Sequence, residues 1–322
     1  MSAPADTLKI VISDGNLALH EQVRALSGHI EIVSPQQVKE RPELLAEIDA
    51  AYSGLNTAQI AGAAKLRWYQ TAGAGVNGLI TPAIRERADL VITNASGIHA
   101  EPITEHMFGM LLMVTRRLGE AREQQKTRQW RGYDFDANVT LLAGKTLGVL
   151  GVGAIGGHSA HVGKAFKMRV IGLRRGAEPH PDVERMYAPD ERLAFFAQCD
   201  VVMNSLPLTD ATRGFMGQAE FGALKPGAIV INTGRGATIV TDALLAALGS
   251  GRVGAALLDV TDPEPLPPDH PLWTTPNVFI TPHYSGAHPS YDERAARIFL
   301  DNLRRFLADE PLINVVDKHE GY

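Results

Sequence analysis

Three polar residues far apart in the chain, Arg235, Glu264 and His283, could bind a carboxylate and protonate a carbonyl oxygen. A guanidinium presents a planar fork of donors to such oxygens. An imidazole can donate a proton, and a carboxylate that hydrogen-bonds the imidazole fixes its orientation and favours its charged form. Taken singly, each residue type is more often a solvated charge or a structural group, so the hypothesis depends on what brings the three together.

Each of the three follows a hydrophobic run that is typical of a buried β-strand. The runs are AIVIN before Arg235, ALLDV before Glu264 and NVFI before His283. In an open parallel sheet, ligands bind beyond the carboxyl ends of the strands. We therefore expect the three side chains to converge on one bound cofactor.

The Gly-rich segment GVGAIG (151–156) predicts a dinucleotide site. It directly follows the strand-like run 146–150 and opens a helix over 154–167. In this context Gly151 permits a tight turn, Gly153 lets the backbone approach a pyrophosphate, and Gly156 allows close helix–strand packing. A purely structural glycine loop is the alternative. The expected cofactor contacts here are Gly151, Gly153, Ala154, Ile155 and Gly156.

The end of the next strand indicates which coenzyme binds. The run 169–173 is followed by Arg174 and Arg175, with no Asp or Glu at its tip. An acid there would accept hydrogen bonds from a free 2′-hydroxyl, whereas arginines suit a 2′-phosphate. The sequence therefore favours NADP(H), with NAD(H) as the alternative if these arginines are only solvated surface residues.

A loop in the first hundred residues could bind the carboxylate of a substrate. The segment TAGAGVN (71–77) follows a strand-like run, and its small residues let consecutive backbone N–H groups point into an anion-binding concavity. A plain turn is the alternative. Further pocket candidates flank expected strand ends or the domain boundary: Tyr52, Ser53, Gly54, Leu55, Trp130, Tyr133 and Tyr284.

The composition is typical of a two-domain globular protein. A chain of 322 residues is too long for one ordinary core, and its residues are 45% hydrophobic and 21% charged. The net charge of −5 argues against nucleic acid or an anionic membrane as the main partner. The N-terminus lacks a signal-peptide pattern, and no apolar stretch approaches the ~18 residues of a membrane span. We therefore expect a cytoplasmic enzyme.

The single cysteine and the remaining histidines are assigned structural roles. Cys199 is expected to be a buried thiol at a strand edge. His158 and His161 share a helix face but lack a third ligand, so no metal site is predicted. No partnership like that of His283 is predicted for His99, His106, His158, His161, His270 or His288.

Short apolar runs alternate with helical segments and predict an α/β fold of two doubly wound parallel sheets. The first sheet is expected from strands at 8–13, 30–33, 50–53, 67–71 and 90–93, with helices near 17–27 and 56–64. The second is expected from strands at 146–150, 169–173, 200–204, 228–232, 256–260 and 278–280.

Two longer helices are also predicted. One begins near Glu101-Pro102, where the missing proline N–H costs nothing, and its apolar residues recur as far as Leu118. Because GMLLMV is apolar on every face, we expect this helix to be buried on more than one side. A domain-bridging helix that also packs against a second subunit would explain this, and an ordinary core helix is the alternative. The second helix, over 290–308, ends the chain.

The motifs together resemble the D-isomer-specific 2-hydroxyacid dehydrogenase family over nearly the whole chain. The matching stretches are TAGAGVNGL (71–79), GVGAIG (151–156), NSLPLTDATRGFMGQAEFGALKPGAIVINTGRG (204–236), DVTDPEPLPPDHPLW (259–273) and TPHYSG (281–286). The resemblance implies that Arg235 binds the substrate's carboxylate and carbonyl, that His283 is the acid/base and that Glu264 is its partner. It also implies a homodimer built around the long helix.

Further contacts are expected within and beside these stretches. Those with the coenzyme are Leu206, Pro207, Thr212, Thr233, Gly234, Asp259 and His283. Those with the substrate are Ser53, Gly54, Ala74, Gly75, Val76, Arg235 and Tyr284. The family architecture implies a flavodoxin-like substrate domain of residues 1–99 and 288–322. It also implies a Rossmann cofactor domain of residues 100–287, with the active-site cleft at the hinge.

Two departures within the family narrow the expected activity. Members that resemble formate dehydrogenase place Gln where this chain has Glu264, which argues against that activity. The common NAD-dependent members have Asp after the second cofactor-domain strand. Leu173-Arg174-Arg175 departs from that pattern and looks more like the NADPH-dependent glyoxylate/hydroxypyruvate reductases.

We therefore expect an oxidoreductase that transfers hydride from NADPH to a small 2-keto acid, reversibly, to give the D-2-hydroxy acid. An NAD-dependent dehydrogenase that works oxidatively is the closer alternative. A corepressor-like binding protein that senses NAD(H) is another, because such relatives retain a similar trio. The absence of an extension before the first strand or after the final helix argues against it. The residues do not identify which 2-keto acid is bound.

Overall fold

The computed structural model describes residues 7–13, 17–76, 78–132, 135, 139–176 and 178–321. The chain divides into two compact units, one of Met1–Ile98 with His288–Tyr322 and the other of His99–Ala287. Each unit is built on one parallel sheet.

The first unit carries a five-stranded sheet. Its strands are β1 (Leu8–Ile12), β2 (Ile30–Val33), β3 (Ala50–Tyr52), β4 (Trp68–Gln70) and β5 (Val91–Thr93). Its helices are α1 (Leu17–Leu26), α2 (Pro35–Glu40), α3 (Thr57–Gly62), α4 (Pro82–Arg85) and the C-terminal α11 (Tyr291–Leu307), with a 3₁₀ helix at Pro42–Glu47. The strand order is β2-β1-β3-β4-β5, and every neighbouring pair is parallel.

The C-terminal helix completes the core of this N-terminal unit. Phe299, on the apolar face of α11, is fully buried. Its ring stacks on Tyr52 with centroids 4.5 Å apart and on Trp68 with centroids 5.3 Å apart. Burial of these large aromatic surfaces packs the C-terminal helix α11 against strands β3 and β4, which come from the first seventy residues.

The second unit carries a seven-stranded sheet. Its strands are β6 (Thr146–Leu150), β7 (Arg169–Leu173), β8 (Arg185–Tyr187), β9 (Val201–Asn204), β10 (Ala228–Asn232), β11 (Val253–Leu258) and β12 (Val278–Ile280). Its α-helices are α5 (Ala100–Thr115), α6 (Leu118–Lys126), α7 (Ala154–Ala165), α8 (Arg192–Phe196), α9 (Gln218–Ala223) and α10 (Thr241–Gly249). Further 3₁₀ helices lie at Pro189–Glu191, Gly236–Thr238 and Pro271–Trp273.

The strands of this sheet are all parallel, in the order β12-β11-β10-β9-β6-β7-β8. The order therefore reverses at β6, which lies between β9 and β7. The crevice at such a reversal point is where open α/β sheets bind ligands. The loop that follows β6 is the predicted phosphate loop.

The prediction of two parallel α/β sheets is confirmed, with local differences. Strand β8 was not predicted, because a three-residue edge strand leaves only a weak hydrophobic signal. Leu118 does not continue the long helix, since Arg117 adopts a left-handed φ of 56° and ends α5 before it. Cys199 is a buried thiol that donates to the carbonyl oxygen of Phe195, and burial raises its pKa.

Within the part of the chain that the structure describes, no helix combines the length and apolarity that a membrane span requires.

Candidate active site at the carboxyl edge of the seven-stranded sheet

The Gly-rich loop between β6 and α7 is shaped by missing side chains. Gly151 adopts a φ of +84°, which an L side chain would strain. A Cβ on Gly156 would lie 2.1 Å from the carbonyl oxygen of Gly151, so the helix packs directly on the turn. A Cβ on Gly153 would meet nothing within 4 Å. The N-terminus of α7 is thus open, and it fits a pyrophosphate group.

Ser205, which the sequence did not single out, supports this loop. It follows β9, and its Oγ lies 3.0 Å from the carbonyl oxygen of Leu150 and 2.9 Å from that of Gly151. Its backbone N–H also donates to the carbonyl oxygen of Leu150. The available signal was its position one residue after β9, the strand that neighbours β6.

Two glycine substitutions should separate folding from coenzyme binding. Gly156→Ala forces a methyl group into backbone and should destabilise the protein by about 1–3 kcal/mol. Gly153→Ala has space in the protein and should keep its stability, while weakening coenzyme binding by a comparable ~1–3 kcal/mol. Thermal denaturation and coenzyme titration measure the two effects. Unchanged coenzyme affinity in Gly153→Ala would show that the pyrophosphate does not lie at this loop.

The tip of β7 carries the two arginines predicted to select the coenzyme. Arg174 is partly buried, and its guanidinium lies 3.4 Å from the carbonyl oxygen of Val152 and 2.7 Å from that of Glu178. Arg175 is exposed. Because Val152 belongs to the Gly-rich loop, Arg174 links the tip of β7 to that loop.

The loops after β9 and β10 pack against one another. Thr212 Oγ1 donates to the carbonyl oxygen of Pro207 at 2.6 Å and closes the turn after β9. A Cβ on Gly234 would lie 2.6 Å from the carbonyl oxygen of Leu206. Thr233 is buried and donates to Met107 of α5. These residues therefore form one continuous surface at the carboxyl edge of the sheet.

The two glycines that flank Arg235, Gly234 and Gly236, both lie against protein backbone. A Cβ on Gly236 would lie only 1.9 Å from the carbonyl oxygen of Thr261. The Arg235 loop thus abuts the segment that leads to Glu264. The sequence pattern does not indicate this contact between Gly236 and Thr261, because the two positions are 25 residues apart.

The Arg235 backbone and guanidinium are both held in place. Its carbonyl oxygen accepts hydrogen bonds from Asn232 Nδ2 at 3.1 Å and Thr238 Oγ1 at 2.6 Å. Its Nη1 donates to the carbonyl oxygen of Gly234 at 2.7 Å. Burial lowers the pKa of the guanidinium, and the negative charge of Glu264 partly opposes that shift. Because arginine stays protonated in proteins, Arg235 is a cation that is partly withdrawn from solvent and lies in the field of Glu264.

His283 and Glu264 form a short hydrogen bond. Nδ1 of His283 lies 2.5 Å from Oε1 of Glu264, and the two side chains are 47% and 41% exposed. Because Nδ1 donates to the carboxylate, Nε2 is the nitrogen left to exchange a proton with a ligand. The backbone of His283 has a left-handed φ of 53°, a conformation that only a few per cent of non-glycine residues adopt.

Asp259 organises the loop that carries His283. Its side chain is 1% exposed and accepts hydrogen bonds from Thr281 Oγ1 at 2.6 Å and from the backbone N–H groups of Tyr284 and Ser285, both at 3.1 Å. The backbone N–H of His283 donates to the carbonyl oxygen of Asp259 at 2.9 Å. Asp259 was predicted as a coenzyme contact, and the structure gives it a positioning role for His283.

His106 has a partnership that the sequence interpretation did not assign to it. Its Nε2 lies 3.0 Å from Thr281 Oγ1, and its ring meets that of Tyr284 edge-on at 5.0 Å. The Thr281 hydroxyl hydrogen is used on Asp259, so the imidazole must be the donor. A histidine directly before the apolar run MFGMLLMV was the only sequence signal.

The first unit, taken by itself, places its predicted substrate residues on two adjoining loops. Ser53, with a left-handed φ of 54°, accepts a hydrogen bond from the backbone N–H of Ala72 at 2.9 Å. Asn94 Nδ2 donates to the carbonyl oxygen of Ala74 at 2.8 Å. Among the described residues, the N–H groups of Ala74, Gly75 and Val76 make no hydrogen bond to the protein, as an anion site requires.

The other pocket candidates lie in different settings. Tyr52 and Leu55 are buried in the core of the first unit. Gly54 lies beside Ser53 with a φ of +77°. Trp130 is 98% exposed and Tyr284 is 51% exposed. Tyr133 lies outside the described residues. Among the residues that are described, no three His, Cys, Asp or Glu side chains form a group that could hold a metal ion.

Comparison with known proteins decides the family. The model of the D-isomer specific 2-hydroxyacid dehydrogenase NAD binding domain matches residues 108–285. A glyoxylate reductase of Aeropyrum pernix is 36% identical over 239 residues, which are 72% of this chain and 71% of that protein. The chain belongs to the D-isomer specific 2-hydroxyacid dehydrogenase family.

Solved structures of 2-hydroxyacid dehydrogenases share the fold over almost the full length. A family member from Aeromonas salmonicida has a TM-score of 0.83 and 35% identity, covering 98% of this chain and 100% of its own. The NADPH-dependent glyoxylate/hydroxypyruvate reductase from Sinorhizobium meliloti, solved with NADP and sulfate, has a TM-score of 0.80 and 27% identity, covering 99% and 100%. The predicted resemblance is confirmed, and the chain is an oxidoreductase with a nicotinamide-nucleotide-binding unit.

Proposed function

We propose that this enzyme reduces a small 2-keto acid to the D-2-hydroxy acid with NADPH, reversibly. The observation that carries the proposal is the hydrogen bond of His283 to Glu264, on a segment that abuts the Arg235 loop. A proton donor, its carboxylate partner and a partly buried cation are the groups that reduction of a keto acid requires. The glyoxylate reductase relatives support this choice of substrate class.

His283 is the residue we assign to proton transfer. When bound, the coenzyme supplies hydride from its nicotinamide C4 to the keto carbon. The carbonyl oxygen then gains negative charge, and Nε2 of the imidazolium protonates it. Glu264, bonded to Nδ1, keeps the ring oriented and stabilises its cationic form before the transfer. The left-handed backbone at His283 and its anchor on Asp259 limit where the ring can lie.

Arg235 is the residue we assign to binding the substrate's carboxylate and keto oxygen. Partial burial makes each of its ionic hydrogen bonds stronger than at a fully solvated site. Its Nη1 is already used on the carbonyl oxygen of Gly234, which fixes the plane of the guanidinium. The backbone at Ala74, Gly75 and Val76, with Ser53, Gly54 and Tyr284, is proposed to contribute further substrate contacts.

The residues of the second unit fit a bound dinucleotide. The open N-terminus of α7 would hold the pyrophosphate, and the loops at Leu206–Pro207 and Thr233–Gly234 would line the rest of the coenzyme. Arg174 and Arg175 at the tip of β7 support NADPH, because a guanidinium binds a phosphate by charge-assisted hydrogen bonds. A homodimer built around α5 remains a prediction.

A panel of 2-keto acids assayed with NADPH and NADH tests the proposal. We expect faster reduction with NADPH and a D-configured product. Arg174→Ala and Arg175→Ala should each raise the KM for NADPH about 10- to 100-fold, the loss of one or more charge-assisted bonds, with little effect on NADH. A preference for NADH would contradict the coenzyme assignment. No turnover with any acid would favour a binding protein on the same scaffold.

A further inference from the structure

The guanidinium that we assign to the 2′-phosphate already has an acidic neighbour. Nη2 of Arg174 lies 3.0 Å from Oε2 of Glu178, in a pair whose side chains are 29% and 66% exposed. The Glu178 carboxylate also lies over Gly176, where a Cβ would come within 2.2 Å of Oε1. The absence of a side chain at position 176 is therefore what admits this carboxylate to the tip of β7.

The arrangement does not satisfy Arg174 completely. Its Nε is buried and has no hydrogen-bond partner among the described residues. A buried, unpaired donor is unfavourable, and more so on a charged group. The guanidinium would gain from a different arrangement in which a phosphate offers several acceptor oxygens.

We propose that Glu178 is a specificity-determining residue that competes with the 2′-phosphate of NADPH for Arg174. This inference rests on the proposed function of Arg174 as a coenzyme-selecting residue. The Glu178 carboxylate already accepts from Nη2 of Arg174, a donor that the 2′-phosphate would use. Its negative charge also repels a phosphate dianion beside Arg174. NAD(H), which has a hydroxyl there, does not meet this repulsion. Glu178 therefore makes the preference for NADPH over NADH smaller than Arg174 alone would make it.

Glu178→Gln tests the inference, because glutamine preserves the shape of the side chain and removes its charge. Coenzyme dissociation constants are measured by isothermal titration calorimetry with NADPH and with NADH. We expect the Kd for NADPH to fall about three- to fivefold, the size expected for losing an exposed ion pair, with the Kd for NADH unchanged. The backbone carbonyl of Glu178, which accepts from Arg174, is retained in the variant.

A matched control changes the same charge elsewhere in the unit. Glu184 pairs with Arg169 at the amino end of β7, with 2.9 Å between Oε1 and Nε and a comparable exposure of 58%. Glu184→Gln should leave both dissociation constants unchanged. In an Arg174→Ala background, Glu178→Gln should no longer affect NADPH, because the competition acts through the guanidinium.

Three results would overturn the inference: no change in the Kd for NADPH, equal tightening of both coenzymes, or an effect that persists without Arg174. The proposed function fails separately. If the wild-type protein binds NADPH but reduces no 2-keto acid, the reductase assignment fails. The NADPH and NADH dissociation constants of wild type and Glu178→Gln still test the role of Glu178. If reduction proceeds but Glu178→Gln leaves the coenzyme ratio unchanged, only the role of Glu178 is excluded.

Discussion

His283→Gln is expected to lower kcat for 2-keto acid reduction by ~10²–10⁴-fold, the usual contribution of a positioned general acid. Glutamine can occupy similar space and hydrogen-bond Glu264, but it has no proton that it can transfer near neutral pH. The Gly-rich loop is unchanged in this variant, so coenzyme affinity should be largely retained.

Steady-state kinetics and coenzyme titration together decide this prediction. His29→Gln is a matched control, since His29 is an exposed histidine outside the proposed site and its replacement should not affect turnover. Glu264→Gln should lower kcat less than His283→Gln, because it removes the carboxylate that orients the imidazole but leaves the imidazole itself in place. Near-normal turnover in His283→Gln would exclude His283 as the proton donor.

Arg235→Gln is expected to reduce kcat/KM by about 10²- to 10³-fold. Removing one partner of a buried, hydrogen-bonded charge pair costs ~2–5 kcal/mol, much of it because the other charge is left unpaired. Here that charge is the carboxylate of the substrate. Arg235→Lys should recover only part of the loss, because an ammonium group keeps the charge but lacks the planar fork that binds two oxygens at once.

A control variant and two further measurements distinguish a loss of substrate binding from a loss of folding. Arg252 lies at the amino end of β11, away from the proposed site, and its guanidinium donates to the carbonyl oxygen of Leu224. Arg252→Gln is therefore the control, and it should leave kcat/KM unchanged. The thermal stability and coenzyme Kd of Arg235→Gln should remain close to wild type. If its kcat/KM fell no further than that of the control, Arg235 would not be the substrate anchor.

The secondary structure was largely predictable because its signals are local. Runs such as TLGVL before the Gly-rich loop and VVMN at β9 are mostly apolar and are buried at every position, as expected of strands covered on both faces. The prediction of secondary structure was weakest where the hydrophobic run is short or where an element ends for a reason other than hydrophobic spacing. Strand β8 has one buried residue of three, and the end of α5 depends on the backbone of Arg117 rather than on hydrophobic spacing.

The sequence by itself determined the fold class, the family and the choice of Arg235, Glu264 and His283 as candidate residues. Alternating apolar runs indicate the fold class and the matching motifs indicate the family. The three candidates follow from their positions after strands, because strand ends in a parallel sheet share one edge. Only the tertiary structure decided what holds the candidates in place. Contacts of Gly236 with Thr261, of Asp259 with the loop around His283, and of Glu178 with Arg174 depend on distances of a few ångströms between folded segments. Spacing along a chain does not encode such distances, because they arise when side chains and backbone pack together.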